Sequence, residues 1–97
     1  MMTILLNRVI SVCERKTSMR LAKSEWYILD RICVRENLRR NQLLQLIDQH
    51  RDKNIGLTPA VRLFSLLYLH DLARRNLNYS YAPDNSTISE ALKEMSF

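Results

Sequence analysis

The 97-residue chain has a single glycine, Gly56, two prolines, Pro59 and Pro83, and two cysteines, Cys13 and Cys33. One glycine leaves no room for a glycine-rich loop that cradles phosphate, and no nucleophile elbow is present. Two thiols twenty positions apart imply neither a disulfide framework nor, without neighbouring ligands, a zinc site. Both are expected to be reduced and largely buried. His50 and His70 have few titratable companions, which suits surface or helix-end histidines better than a catalytic base or a metal ligand. No catalytic residue, metal or cofactor is expected, and the chain does not read as an enzyme. Apolar runs are short as well: none approaches the roughly 20 residues that span a bilayer. The start, Met1-Met2-Thr3-Ile4-Leu5-Leu6-Asn7-Arg8, lacks a leading basic stretch and a small-residue cleavage site. It makes a poor signal peptide. These absences point to a soluble, cytoplasmic protein with no membrane partner.

Acidic residues are scarce in one place. Residues 1–23 hold Arg8, Arg15, Lys16, Arg20 and Lys23 against Glu14 alone, and so carry four of the five net positive charges. A sequence pI of about 9.6 already favours an anionic partner, and this clustering says where it would bind. Against that stands an apolar content of 46%, with dense stretches such as Phe64-Ser65-Leu66-Leu67-Tyr68-Leu69. A monomer this small has a limited core, so the surplus predicts dimerisation.

Residues 3–12 are rich in Ile, Leu and Val and compatible with a strand, although their alternation is imperfect. Residues 15–21 alternate better. Thr17, Met19 and Leu21 share one face, and Lys16, Ser18 and Arg20 share the other. From residue 24 the period becomes helical, with Trp26, Leu29, Ile32 and Cys33 on one stripe, until a break near Asn37-Leu38. A second helix is predicted over 40–51, with Leu43, Leu46 and Ile47 on one face. After a loop around Gly56, Thr58-Pro59 suits a helix start, Thr as cap and Pro in the first helical position. The third helix is predicted to about residue 75. Its apolar residues nearly encircle it, which predicts burial on more than one side. A polar loop over 76–85 and a short final helix over 86–95 complete the chain. No repeat or low-complexity tract is present.

The order is thus a basic strand, an amphipathic helix, a turn and a second amphipathic helix. A lone strand needs partners for its backbone groups. Pairing with the same strand of a second subunit supplies them and makes a two-stranded ribbon that fits the B-DNA major groove, about 12 Å wide. Lys16, Ser18 and Arg20 would then face base edges. Around Arg39-Arg40-Asn41, guanidinium donors coincide with the unpaired N–H groups of a helix start, a combination suited to phosphate.

These features resemble the ribbon-helix-helix superfamily, which includes the Arc and Met repressors, and more closely a bacterial ribbon-helix-helix domain family. The resemblance is carried by residues Arg15-Lys16-Thr17-Ser18-Met19-Arg20-Leu21, by Trp26 with Leu29 and Ile32, and by Leu43, Leu44, Ile47 and Asp48. Leu57-Thr58-Pro59-Ala60-Val61-Arg62-Leu63-Phe64 completes it. It implies a mainly α fold with a short β-ribbon, an intertwined homodimer with an additional third helix. In that fold Lys16, Ser18 and Arg20 read bases, while Arg15, Arg39, Arg40 and Asn41 meet phosphate. Thr17, Met19, Leu21, Trp26, Leu29, Ile32, Leu43 and Ile47 form the dimer core. Glu14 departs from the family's pattern, in which a glycine is common there. Residues 1–14 become an N-terminal extension open to forming an extra strand, 15–75 the domain with its additional helix, and 76–97 a C-terminal tail that can hold a short helix. The implied function is sequence-specific binding of double-stranded DNA by a transcriptional regulator, a repressor. The alternative is a protein-interaction module, such as an antitoxin or accessory protein, that takes a partner through its C-terminal helices.

Overall fold

The computed structural model describes residues 4–77 and 86–95, which form two compact units, Met1–Gln49 and His50–Phe97. The first begins with strand β1, Leu5–Val12, and strand β2, Arg15–Ala22, in an antiparallel hairpin. Val12 faces Arg15 across a two-residue loop, Cys13-Glu14, and both loop residues have left-handed φ, 50° and 64°. Two successive positive φ values are the signature of the type I′ turn, whose twist matches that of the strands it joins. Glycine would normally occupy such a position at no steric cost. The glycine-to-Glu14 departure therefore falls on a residue held in a left-handed conformation.

The antiparallel ribbon thus forms within one chain. The backbone groups of 15–21 find their partners in β1, and every residue from Arg15 to Ala22 has an opposite number there. The partner expected for this strand was the same strand of a second subunit; in the structure the chain's own N-terminal segment fills that place along one edge. The ladder leaves one edge of β2 open. Lys23 N–H donates to the Ile4 carbonyl at 3.4 Å, which marks Ile4/Lys23 as a hydrogen-bonded pair. Hydrogen-bonded and non-bonded pairs alternate, so the backbone groups of Lys16, Ser18 and Arg20 point away from β1.

Helix α1, Lys23–Glu36, follows β2 without a loop and packs on it. Glu25 accepts a hydrogen bond from the Ala22 N–H at 2.7 Å, satisfying a donor just ahead of the first turn. At the far end Asn37 adopts a left-handed φ of 56°. The Leu38 N–H reaches back to the Cys33 carbonyl at 2.9 Å and the Asn37 N–H to Val34 at 3.3 Å. That is a Schellman closure, with asparagine in the place glycine usually takes. Helix α2 is Arg40–His50. Leu43, Leu44 and Ile47 of α2 are buried, as are Met19, Leu21, Trp26, Leu29 and Ile32. The residues expected in a dimer core are therefore buried within the single chain, except Thr17, which is exposed opposite Ile10.

In the second unit, helix α3, Leu57–Leu77, packs with helix α4, Ser86–Met95. The start of α3 lies earlier than expected. Gly56 accepts from the Ala60 N–H at 3.1 Å, so Thr58 and Pro59 both lie inside the first turn. Proline is tolerated there because first-turn N–H groups have no intrahelical acceptor. The third helix is buried along one stripe, Ala60, Val61, Phe64, Tyr68 and Asp71, rather than on several sides. Leu66 and Leu69 are 67% and 41% exposed. Helix α4 buries Ile88, Ala91, Leu92 and Met95, so the C-terminal tail contains a packed helix. The loop expected over 76–85 lies outside the described residues from position 78 onward.

Candidate nucleic-acid interface

Register decides which side chains share the outer face of the hairpin. Ser11 stands opposite Lys16, Val9 opposite Ser18 and Asn7 opposite Arg20. Lys16, Ser18, Arg20, Asn7 and Val9 are exposed and Ser11 is half-buried. The other face carries Leu6, Ile10, Val12, Met19 and Leu21. The three residues expected to read bases therefore lie on one exposed surface, and β1 adds three more to it. Sequence reasoning missed this contribution because Arg8 interrupts the apolar alternation of β1.

The structure explains why Arg8 is tolerated on the inner side. Its guanidinium carbon lies 4.9 Å from the centre of the Trp26 ring, and that of Arg40 lies 5.1 Å from it. Both distances suit cation–π attraction. The Trp26 indole N–H donates to the Leu6 carbonyl at 2.9 Å, tying α1 to β1. Arg40 is further held by Asp30. Its Nη2 donates to Oδ1 at 2.7 Å and to Oδ2 at 2.9 Å, and its Nε donates to Oδ1 at 3.1 Å. One tryptophan thus gathers β1, α1 and the start of α2 around two arginines.

Arg39, Arg40 and Asn41 meet the hairpin across an open cleft of about 310 Å³, to which Ser11 and Lys16 also contribute. Arg39 and Asn41 are exposed; Arg40 is half-buried by its engagement with Trp26 and Asp30. The Arg39 N–H donates to the Gln42 side-chain oxygen at 2.9 Å, and the Leu43 N–H to the Arg39 carbonyl at 3.1 Å. The intervening N–H groups of Arg40, Asn41 and Gln42 belong to the first turn, where a helix has no acceptor of its own. Arg15 is exposed at the tip of the hairpin, opposite Val12. By register Arg15 falls on the face of Met19 and Leu21, whereas Lys16 and Arg20 on the outer face, with Arg39, Arg40, a helix N-terminus and small polar groups, make a surface suited to a polyanion.

The two thiols differ. Burial pushes the Cys33 thiol above its ordinary pKa, the nearby Asp30 carboxylate adds to the rise, and Arg40 opposes it. Cys33 is thus held as a neutral apolar group, unsuited to nucleophilic attack. Cys13, contrary to the expectation that both thiols are buried, is exposed, because it sits in the two-residue hairpin loop beyond the paired strands. Among the described residues no group of three or more His, Cys, Asp or Glu side chains could hold a metal ion. No helix among them is long and apolar enough to cross a membrane.

Comparison with protein families matches the ribbon-helix-helix domain over residues 5–69. The chain belongs to the ribbon-helix-helix family. The match begins at β1 and runs through the greater part of α3, so the family's domain includes the strand of the N-terminal extension. No curated protein and no solved structure matches the chain. Ribbon-helix-helix domains are generally DNA-binding transcription regulators that bind as dimers, and the fold is not an enzymatic one.

Proposed function

We propose that this ribbon-helix-helix protein binds specific sequences of double-stranded DNA as a homodimer and represses transcription in the cytoplasm of a bacterial cell. The observation that carries this is the outer face of the hairpin, where Lys16, Ser18 and Arg20 stand exposed in a row, with Lys16 sharing a cleft with the arginine-bearing start of α2. Arg and Lys donate to guanine O6 and N7, and Ser exchanges hydrogen bonds with several bases. Two copies would join along the open edge of β2, whose backbone groups at Lys16, Ser18 and Arg20 point away from β1. Joining there removes an exposed strand edge and centres the six reading side chains on one axis. Arg15, Arg39 and Asn41 would then position the dimer on phosphates. Arg40 would act partly through Trp26 and Asp30 and partly on the same phosphates.

Selection from a random duplex pool at physiological salt tests the proposal. The expected result is a site with two symmetric half-sites. Arg20→Ala should relax preference at one base pair per half-site by about 1–3 kcal/mol. Arg39→Ala should weaken binding to all sequences and flatten the salt dependence by about one unit per lost phosphate contact. Unchanged affinity and preference in Arg20→Ala would refute the base-reading assignment. A second reading, recruitment of a partner protein through the C-terminal helices, is favoured by the exposure of Leu66 and Leu69 on α3. It is compatible with DNA binding by the first unit.

A further inference from the structure

The hairpin is two strands wide within one chain, and this has a geometric consequence for the way a dimer meets DNA. Neighbouring strands lie about 4.8 Å apart, so a sheet ordered β1-β2 and then β2-β1 of a second copy has its outer strand axes about 14 Å apart. The major groove is about 12 Å wide. The two central strands fit within it; the two outer ones do not. We infer that β1 lies over the walls of the groove and that Asn7 and Ser11 donate hydrogen bonds to the sugar–phosphate backbone, flanking the bases read by β2. The inference rests on the dimeric DNA-binding reading above and extends it to a strand that reading does not use.

Three observations support this placement. Asn7 is exposed on the same face as Arg20, its cross-strand partner, and so turns toward the DNA whenever Arg20 does. Ser11 faces Lys16 and shares the open cleft with Arg39 and Asn41. Three β1 residues, Val9, Ile10 and Ser11, thus line the cleft beside the helix start already suited to phosphate. Finally, the outward residues of β1 are Leu5, Asn7, Val9 and Ser11, with no formal charge among them, whereas β2 presents Lys16 and Arg20. Neutral donors and an apolar side chain that is 73% exposed, Val9, suit sugar and phosphate oxygens at close range. The outer strands would thus sense the width of the groove rather than its sequence.

Charge neutrality makes the claim separable from its rivals. A neutral donor displaces no counterion, so losing it weakens binding without changing the salt dependence. The test is titration of the full-length protein with its selected duplex across a salt series, for wild type, Asn7→Ala and Ser11→Ala. Each variant should bind about tenfold more weakly, having lost one contact per subunit. The salt slope and the preferred sequence should both stay as in wild type. Asn7→Asp, which keeps the size of the side chain, and Ser11→Asp, which enlarges it, should weaken binding further by repelling phosphate, and thermal melting of all four variants identifies any that lose the fold. A changed preference at one base pair would overturn the inference by making β1 a base reader. Unchanged affinity in all four variants would overturn it by removing β1 from the interface. Wild-type protein that selects no duplex would overturn the dimeric DNA-binding reading itself, and this inference with it.

Discussion

The two units of the chain are built by different means. In Met1–Gln49, nine basic and five acidic residues surround a hairpin and two helices, and polar interactions organise the junctions. Asn37 closes α1, Trp26 gathers two arginines, and Asp30 fixes Arg40. In His50–Phe97 the balance is six basic to five acidic, and the described packing is mainly apolar, Phe64 and Tyr68 of α3 with ring centres 6.0 Å apart, and Ile88, Leu92 and Met95 of α4. The first unit presents a charged working surface on a small core. The second buries one apolar stripe and leaves leucines outside it. Charge near a helix start and a strand edge specifies what a surface meets, whereas apolar burial specifies only that a surface is covered.

The largest test of that contrast removes the residue on which the first unit converges. Trp26→Ala deletes a side chain that is 1% exposed together with its hydrogen bond to Leu6 and its two cation–π contacts. It should cost about 3–5 kcal/mol in chemical denaturation, a large part of a small domain's stability. A cost below about 1 kcal/mol would show that the polar junctions contribute little.

The second unit makes the opposite prediction for its one buried charged residue. Asp71 is fully buried; Arg74 donates to its Oδ1 at 3.2 Å, and its Oδ2 has no partner among the described residues. A buried carboxylate oxygen left unpaired is costly, and an apolar residue of similar volume avoids that cost. Asp71→Leu should therefore raise stability by about 1–3 kcal/mol, read as a higher melting temperature. A lower melting temperature would mean that the carboxylate organises this unit much as Asp30 does the first.

Smaller effects sharpen the account of the first unit. Glu14→Gly relieves a left-handed residue in the hairpin loop, offset by the greater freedom of glycine in the unfolded chain. A net gain of about 0.5–1 kcal/mol is expected in thermal melting. Asp30→Asn removes the charge that holds Arg40. Both partners are partly exposed, with side-chain values of 31% for Arg40 and 46% for Asp30, so stability should fall by no more than about 1 kcal/mol. DNA binding should gain affinity at low salt, and its salt dependence should steepen by about one unit as Arg40 becomes free to neutralise phosphate. An unchanged salt slope would keep Arg40 as a purely internal arginine.

Much of this architecture was legible beforehand. Alternation placed Lys16, Ser18 and Arg20 together, and the stripe of Trp26, Leu29, Ile32 and Cys33 marked α1 to within one residue at its start. The final helix was bounded correctly at Ser86–Met95. Three features were not legible, each because it depends on contact between residues remote in sequence. Arg8 disguised β1, since no local pattern shows an inward arginine resting on an indole 18 positions later. The burial of Asp71, on the stripe of a helix that packs against α4, carries no local signal. Arg40 looked free to bind phosphate, because nothing local pairs it with an aspartate ten residues earlier.

Short-range physics was enough to set the helices, the exposed basic face and the family to which the chain belongs. Periodicity and charge are properties of neighbours along the backbone, and they survive without any knowledge of the fold. Which strand completes the ribbon, which arginine is tethered and which leucines remain in water were decided only when distant segments met. Those outcomes depend on competition for partners, and that competition takes place in three dimensions.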